Sequence, residues 1–371
     1  MSPRPRNFLL LLTLGILLSG VHAWACSVPV FRYALEHWSA SPFQAFVFHR
    51  GPLTDAQRDA VRDFGPDGLA GKLHANISIR AVDLDLDPPP ELAELFRESG
   101  GNALPWLVVK FPAANRRDPI ISSGPLHPGS AAELLDSPAR KEIVQRIGDG
   151  QSAVWVLLES GDAAKDAAAS ALIEERLKYL ASVLELPRLD AQDIANGLVS
   201  VGQEGLRLEF SLLRIARSDP HEKVFIRMLL ATEADLESTG TPVVFPVFGQ
   251  GRALYALAGD GIKPETIEKA ATFLIGKCSC EVKEQNPGMD LLLAADWKAL
   301  IESQTAGIPD LPTMAEITKS APVTVTFSPS GASHSPAESK PADDGAPQGI
   351  WIFAALAAAF VATLWLSRTK R

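Results

Sequence analysis

Residues 104–109 read Leu104-Pro105-Trp106-Leu107-Val108-Val109, and residues 241–248 read Thr241-Pro242-Val243-Val244-Phe245-Pro246-Val247-Phe248. Each is an apolar run rich in β-branched and aromatic side chains and entered through a proline. Such a composition reads as a buried strand, and the head of a strand is where a missing N–H is tolerated.

Around the first run the chain alternates elements. Residues 43–49 (FQAFVFH) read as a buried strand. Gly51-Pro52 then leads to Thr54, a candidate N-cap for a helix over 55–64. A second strand is expected over 75–86. Pro88, Pro89 and Pro90 break the chain before a helix over 91–99, which Gly100-Gly101 stops. After the proline-led strand come an edge strand over 119–122 and an amphipathic helix over 131–147. The order is β, α, β, α, then β, β, α.

The second run has a similar setting. Residues 153–158 (AVWVLL) read as a strand and 162–184 as a long Ala-rich helix. Two further strands are expected over 206–215 and 223–232. Gly249 to Gly251 make a turn, residues 253–258 return, and Pro264 opens a closing helix over 264–275. Flanking helices are expected over 26–38, with Pro29 in the first turn, and over 288–301.

This order resembles the thioredoxin-like fold, with Pro105 and Pro242 matching that family's often-cis proline before the third strand. The resemblance implies an α/β protein of two tandem thioredoxin-like units with mixed sheets flanked by helices, over 26–149 and 150–302. A generic α/β protein with mixed sheets is the alternative. The chain departs from the family where the family does its chemistry. A redox site of this type needs Cys-x-x-Cys at the strand-to-helix turn, where helix-end amides lower the thiol pKa. The corresponding turns here read Arg50-Gly51-Pro52-Leu53 and Ser160-Gly161-Asp162-Ala163. If the amino-terminal helix is the equivalent instead, Cys26-Ser27-Val28-Pro29 leaves a single thiol.

The chain has three cysteines, Cys26, Cys278 and Cys280. The pair in Lys277-Cys278-Ser279-Cys280 suits either a soft-metal site for copper or zinc or a labile disulfide. Two ligands make an incomplete metal set, however, and a helix carboxy terminus disfavours a thiolate. A structural disulfide from Cys26 to Cys278 or Cys280 would close a loop of roughly 250 residues. Any single bond leaves one thiol over.

Other polar patterns are weaker. Asp83, Asp85 and Asp87 alternate with leucines, as a cation site or a solvated strand end would. Gly249-Gln250-Gly251-Arg252 could cradle an anion, but it reads better as a hairpin turn. No cofactor motif is present, and the seven histidines show no ligand spacing.

The two ends of the chain set its place in the cell. Arg4 and Arg6 precede an apolar run over 8–18 and Ala23-Trp24-Ala25, the pattern of a secretory signal over 1–25. Cleavage after Ala25 would leave Cys26 first, which also admits a lipidated cysteine. Residues 349–367 (GIWIFAALAAAFVATLWLS) are uncharged and long enough for a single transmembrane helix. Arg368, Lys370 and Arg371 follow as a cytoplasmic basic tail over 368–371. Residues 303–348 hold seven prolines with many Ser, Ala and Gly, the composition of a disordered tether.

The formal charge is −9, and without Arg4, Arg6 and the three tail cations the exported part stands at −14. Nucleic acid is therefore excluded as a partner. The expectation is a single-pass protein of the cell membrane, with 26–348 on the extracytoplasmic side and the carboxy terminus in the cytoplasm. It would serve as a non-catalytic docking or assembly component for an exported or membrane protein. The alternative is an envelope thiol-disulfide or soft-metal handler using Cys26, Cys278 and Cys280.

Overall fold

The computed structural model describes residues 26–112, 119–278 and 282–305. The expected signal over 1–25, Cys280, the span over 349–367 and the basic tail lie outside the described residues, as does the tether beyond Thr305. Among the described residues no helix is long and apolar enough to cross a membrane.

The chain forms two mixed sheets flanked by helices. Helix α1 (Val30–His37) precedes β1 (Phe43–His49), α2 (Asp55–Arg62), the short α3 (Leu69–Lys72), β2 (Ile77–Asp83), α4 (Pro90–Glu98), β3 (Trp106–Lys110) and β4 (Ile120–Pro125). The first sheet has the order β2-β1-β3-β4. In it β1 is parallel to β2 and antiparallel to β3, and β3 is antiparallel to β4.

Helices α5 (Ser130–Leu135) and α6 (Pro138–Gly148) lead to β5 (Ala153–Leu158), α7 (Ala163–Val183), α8 (Ala191–Ala195), β6 (Phe210–Ile215), α9 (Lys223–Leu230) and β7 (Val243–Phe248). Then come β8 (Arg252–Ala253), β9 (Leu257–Ala258), α10 (Pro264–Ile275), β10 (Met289–Asp290) and α11 (Trp297–Thr305). The second sheet runs β10-β8-β7-β5-β6, with β9 also on β7. Its β5 is parallel to β6 and antiparallel to β7, and β7 is antiparallel to β8 and β9, so the connectivity of the first sheet recurs.

Strand periodicity distributes the core. Phe43, Ala45 and Val47 of β1 share one core with Val154, Val156 and Leu158 of β5 and Val243, Phe245 and Val247 of β7. Ile143 and Ile147 of α6 and Phe225 and Leu229 of α9 belong to the same core. The opposite faces are covered separately. Phe48, Trp106 and Val108 lie under Leu92 and Leu95 of α4. Trp155, Leu157 and Phe248 lie under α7, α10 and the amino-terminal segment.

Four sequence expectations are corrected by local physics. Residues 223–230 are a helix, not a strand, because Phe225, Ile226, Met228 and Leu229 recur with helical spacing, a distinction that a short apolar run conceals. The helix expected over 131–147 is two. Pro138 holds Ser137 extended (φ −158°), and the Ser137 side chain caps the second helix through Arg140 N–H. The return strand after Gly251 divides into β8 and β9 beside Pro246, which lacks an N–H to donate between their pairings. Residues 288–295 are extended rather than helical because other elements take their amides. Leu291 N–H donates to Gly251 O (2.9 Å), and Leu293 N–H donates to Asn76 Oδ1 (2.8 Å).

That extended strap ties β10 to the start of β2. Ala75 bridges Ala294, and Asn76 Nδ2 donates to Ser41 O and Leu291 O, both at 3.1 Å. One amide side chain thus serves three backbone groups. Asn76→Ala should lower the unfolding free energy by about 2–3 kcal/mol through the groups it orphans. Urea denaturation should show a lower midpoint with an unchanged slope. A loss below about 0.5 kcal/mol would show that the strap does not depend on this side chain.

Candidate functional site

The three cysteines, the two prolines and the two strand-to-helix turns are the candidate positions. Residues 26–30 run antiparallel to 276–278. Val30 N–H donates to Gly276 O and Cys278 N–H to Val28 O, both at 2.9 Å, and Pro29 faces Lys277. Cys26 and Cys278 are 4% and 1% exposed and belong to the same apolar cluster over β5 and β7. The structure therefore brings these two candidates together in a place closed to solvent, while Cys280 lies outside the described residues. Among the described residues no group of three or more His, Cys, Asp or Glu side chains is arranged to hold a metal ion.

The segment around Cys26 is held by buried polar contacts. Ser27 donates through N–H and Oγ to Asp193 Oδ2, both at 2.6 Å, and its Oγ accepts from Asp190 N–H at 2.7 Å. Arg32 pairs with Glu36 and reaches Ser200 Oγ (3.1 Å) and the Gln304 side chain.

At the first turn, after β1, Gly51 takes a left-handed conformation (φ +60°), which favours glycine. Its N–H donates to Asp83 Oδ1 (3.3 Å), and Arg50 pairs with Asp85 (2.6 Å). Thr54 and Gln57 then form a capping box on α2. The alternation expected of Asp83, Asp85 and Asp87 ends with β2. Asp85 lies in the following turn, and Asp87 takes a positive φ of 48°. Their carboxylates do not share one strand face.

The second turn, after β5, is occupied by carboxylates. Asp166 is buried and accepts from Ser160 N–H (2.7 Å), Ser160 Oγ–H (2.8 Å) and Gly161 N–H (3.0 Å). Asp162 accepts from Ala164 N–H (3.1 Å) and Lys165 N–H (3.2 Å). The Lys165 backbone and side-chain hydrogen bonds hold the Asp162 carboxyl below its ordinary range. The helix-end amides that would stabilise a thiolate are thus already spent on carboxylates. Ser160 gives its hydroxyl proton to a carboxylate that also accepts the Ser160 and Gly161 N–H groups, so these bonds close the turn.

The two prolines differ. The Leu104–Pro105 peptide is cis. Thr241–Pro242 is not, so the second cis candidate is corrected. There the chain arrives through a turn closed by the Thr239 and Thr241 hydroxyls (2.8 Å), and the Pro242 carbonyl accepts from Gly259 N–H (3.0 Å). Pro242 lines a cleft of about 320 Å³ with Thr241, Asp260, Lys165, Ala168 and Leu172.

Gly249 and Gly251 both take positive φ in the hairpin between β7 and β8. A Cβ on Gly249 would come within 2.8 Å of Ala34 Cβ, so the hairpin is fitted against α1. The following Arg252 is no anion cradle, because it is buried against Asp290 (3.0 Å), which Lys283 Nζ also reaches at 2.8 Å. Sequence reasoning missed this cluster. Its signal was a lone acid in the apolar run Met289-Asp290-Leu291-Leu292. It also missed Glu222, whose carboxylate accepts from Ser137 Oγ–H and from Ala139 N–H (2.7 Å) at the start of α6. No family model matches the chain, and no curated protein matches it.

Burial alone would raise the Asp290 carboxyl. The Lys283 hydrogen bond, the Ser41 N–H and the Arg252 and Lys283 charges outweigh it and hold the group below its ordinary range. A carboxyl depressed in the folded state contributes stability above its unfolded pKa of about 3.9, and that contribution fades as pH falls through the folded value. Asp290→Asn should therefore flatten the acid limb of stability below about pH 4. It should also cost about 3 kcal/mol at pH 7 by leaving the buried Arg252 and the half-buried Lys283 without their acid. Urea denaturation across pH 2.5–7 reads both, and parallel acid limbs in the two proteins would contradict this role for Asp290.

Proposed function

We propose that this chain is a membrane-anchored extracytoplasmic protein whose folded part, two thioredoxin-like units over 26–149 and 150–302, is a non-catalytic docking component of a cell-envelope complex. The observation that carries the reading is the chemistry of the two strand-to-helix turns. Arg50-Gly51-Pro52-Leu53 is tied to Asp83 and Asp85, and Ser160-Gly161-Asp162-Ala163 is closed by Asp162 and Asp166. Neither turn holds a thiol. The recurrence of one strand connectivity in both sheets, and the cis Pro105 at the head of β3, support the thioredoxin-like comparison. Fold alone does not confer the redox activity.

The anchor in this reading is the span over 349–367, joined to the folded part by the tether. The partner is an exported or membrane protein, and the −14 charge of the exported part argues against nucleic acid. The convergence of Cys26 and Cys278 favours a second reading, an envelope thiol or soft-metal handler that also uses Cys280. Burial of both cysteines weighs against it, since a reacting or metal-binding thiol needs access.

The full-length protein, solubilised from its own membranes in mild detergent, separates the two readings. Under the docking reading it migrates on a native gel with a partner. That complex survives iodoacetamide treatment, which leaves Cys26 and Cys278 unmodified until the protein is unfolded. Migration as the lone chain would overturn the docking reading. Alkylation of the native cysteines with loss of the complex would replace it with the thiol reading.

A further inference from the structure

We propose that the open edge of the second sheet is a self-association surface, on which β6 pairs antiparallel with β6 of a second copy of this chain about a twofold axis at Ser211. The proposal goes beyond the docking reading above and depends neither on the anchor nor on the thioredoxin-like comparison.

Among the described residues β6 is the last strand of its sheet on that side. Ser152 N–H donates to Glu209 O (2.8 Å) and Glu159 N–H to Ile215 O (2.9 Å), so the odd-numbered residues of β6 turn their backbone groups toward β5. Those of Phe210, Leu212 and Arg214 then face the open edge. Exposed edges are commonly guarded by charge, proline or a bulge. Both edges of the first sheet follow that rule. β2 carries the exposed Arg80, while β4 follows Pro119, ends at Pro125 and pairs with a register shift beside Lys110. β6 opens with Phe210-Ser211-Leu212-Leu213 and has no such guard over these four residues.

An antiparallel partner on this edge has few registers to choose from, because the outward groups belong to even-numbered residues and must pair with one another. An axis at Ser211 pairs Phe210 of each copy with Leu212 of the other, which makes four backbone hydrogen bonds. Arg146 Nη1 already donates to Leu212 O at 3.0 Å, and a carbonyl with two lone pairs can accept the incoming amide as well.

The charges beside the edge select that axis. Helix α7 lies in the crossover between the parallel strands β5 and β6, and Phe210 and Leu212 share a groove of about 280 Å³ with its Leu177, rimmed by Glu174 and Lys178. Glu174 and Lys178 are about 6 Å apart along the helix, close to the separation of Phe210 and Leu212 along the strand. The axis that exchanges Phe210 with Leu212 thus exchanges Glu174 with Lys178, and each acid meets the other copy's lysine. An axis moved to Phe210 or to Leu212 would bring like charges together. Phe210 of one copy beside Leu212 of the other joins the two grooves into one apolar seam. On the opposite face Arg146 pairs with Glu142 (2.7 Å) and holds Ser211 Oγ (3.0 Å), so that rim also carries one charge of each sign. The edge is therefore balanced in charge although the chain stands at −9. That balance is what fits it to a second copy.

The test is disulfide trapping with copper phenanthroline on the full-length protein in mild detergent. Ser211→Cys puts two thiols in a non-hydrogen-bonded pair with Cβ atoms about 5 Å apart. It should form a covalent dimer about tenfold faster than the wild type, which keeps the native cysteines, or than Ser182→Cys, exposed on the last turn of α7. Lys178 is exposed, so Lys178→Glu should leave the fold intact. In the Ser211→Cys background it should slow trapping about tenfold by turning two attractive pairs repulsive, and adding Glu174→Lys should restore the rate. Sedimentation equilibrium at matched detergent density should give the dimer mass for the wild type and easier dissociation for Lys178→Glu. A monomeric wild type, trapping no faster at Ser211→Cys than at Ser182→Cys, or a charge swap that does not restore it would overturn the proposal. A wild-type mass set by a different polypeptide and unaltered by Lys178→Glu would also overturn it, because another protein would then hold the edge.

Discussion

The structure depends on an exchange of chain ends between its two sheets. The amino-terminal segment precedes every strand of the first sheet, yet it packs on the second, where Val28, Phe31, Tyr33 and Trp38 join Trp155 and Phe248. The strap over 291–295 follows β10, the last strand of the second sheet in sequence, yet it closes on the first sheet through Asn76 and Ala75. Neither sheet can finish its own edges and faces from its own stretch of chain. Helices α6 and α9 add to this, since both belong to the one core shared by the facing sheets. Apolar burial supplies most of the stabilisation, at about 25 cal/mol per Å², and here much of that area exists only while both halves are in place.

Polar groups fix the register of these crossings. Asp290 meets Arg252, Lys283 and the Ser41 amide where the strap leaves the second sheet, and the Arg252 guanidinium lies 6.0 Å from the Trp38 ring centroid. Asp193 holds Ser27 at the other crossing. Glu222 caps α6 from the segment that leads into α9, and Arg140 donates to Leu292 O (3.0 Å) and Leu134 O (2.6 Å). Burial pulls the Arg140 guanidinium down to about 10, against the Glu222 and Asp136 charges. Buried ionic groups are weak sources of net stability but strict about position. Three elements that meet only in the folded state are aligned by them.

Much of the fold is legible in the sequence because its strands are written in apolar runs. The run AVWVLL is buried at every position of β5, and VVFPVF at every position of β7, as strands covered on both faces should be. The Thr54 capping box and the proline-led helix α10 are likewise readable from local chemistry. What stays hidden depends on distant partners. Residues 223–230 carry strand-like residues but find a helical face between the sheets. Residues 288–295 have the spacing of an amphipathic helix, but Gly251 and Asn76 claim their amides. The candidate site divides in the same way. The absence of a dithiol from both turns is plain in the sequence, whereas the pairing of 26–30 with 276–278 spans some 250 residues and leaves no local mark.

Cys26 and Cys278, with the buried acids Asp193, Asp290 and Glu222, lie at these crossings. The central claim is that the exchanged ends make the two sheets one cooperative unit. The most direct measurement is urea unfolding of the full-length protein followed by pulsed hydrogen exchange, reading the amides of β1 and of β5 separately. The account predicts that both strands lose protection at the same urea concentration, in a single transition. Loss from one sheet while the other stays protected would show two independently stable halves and contradict it.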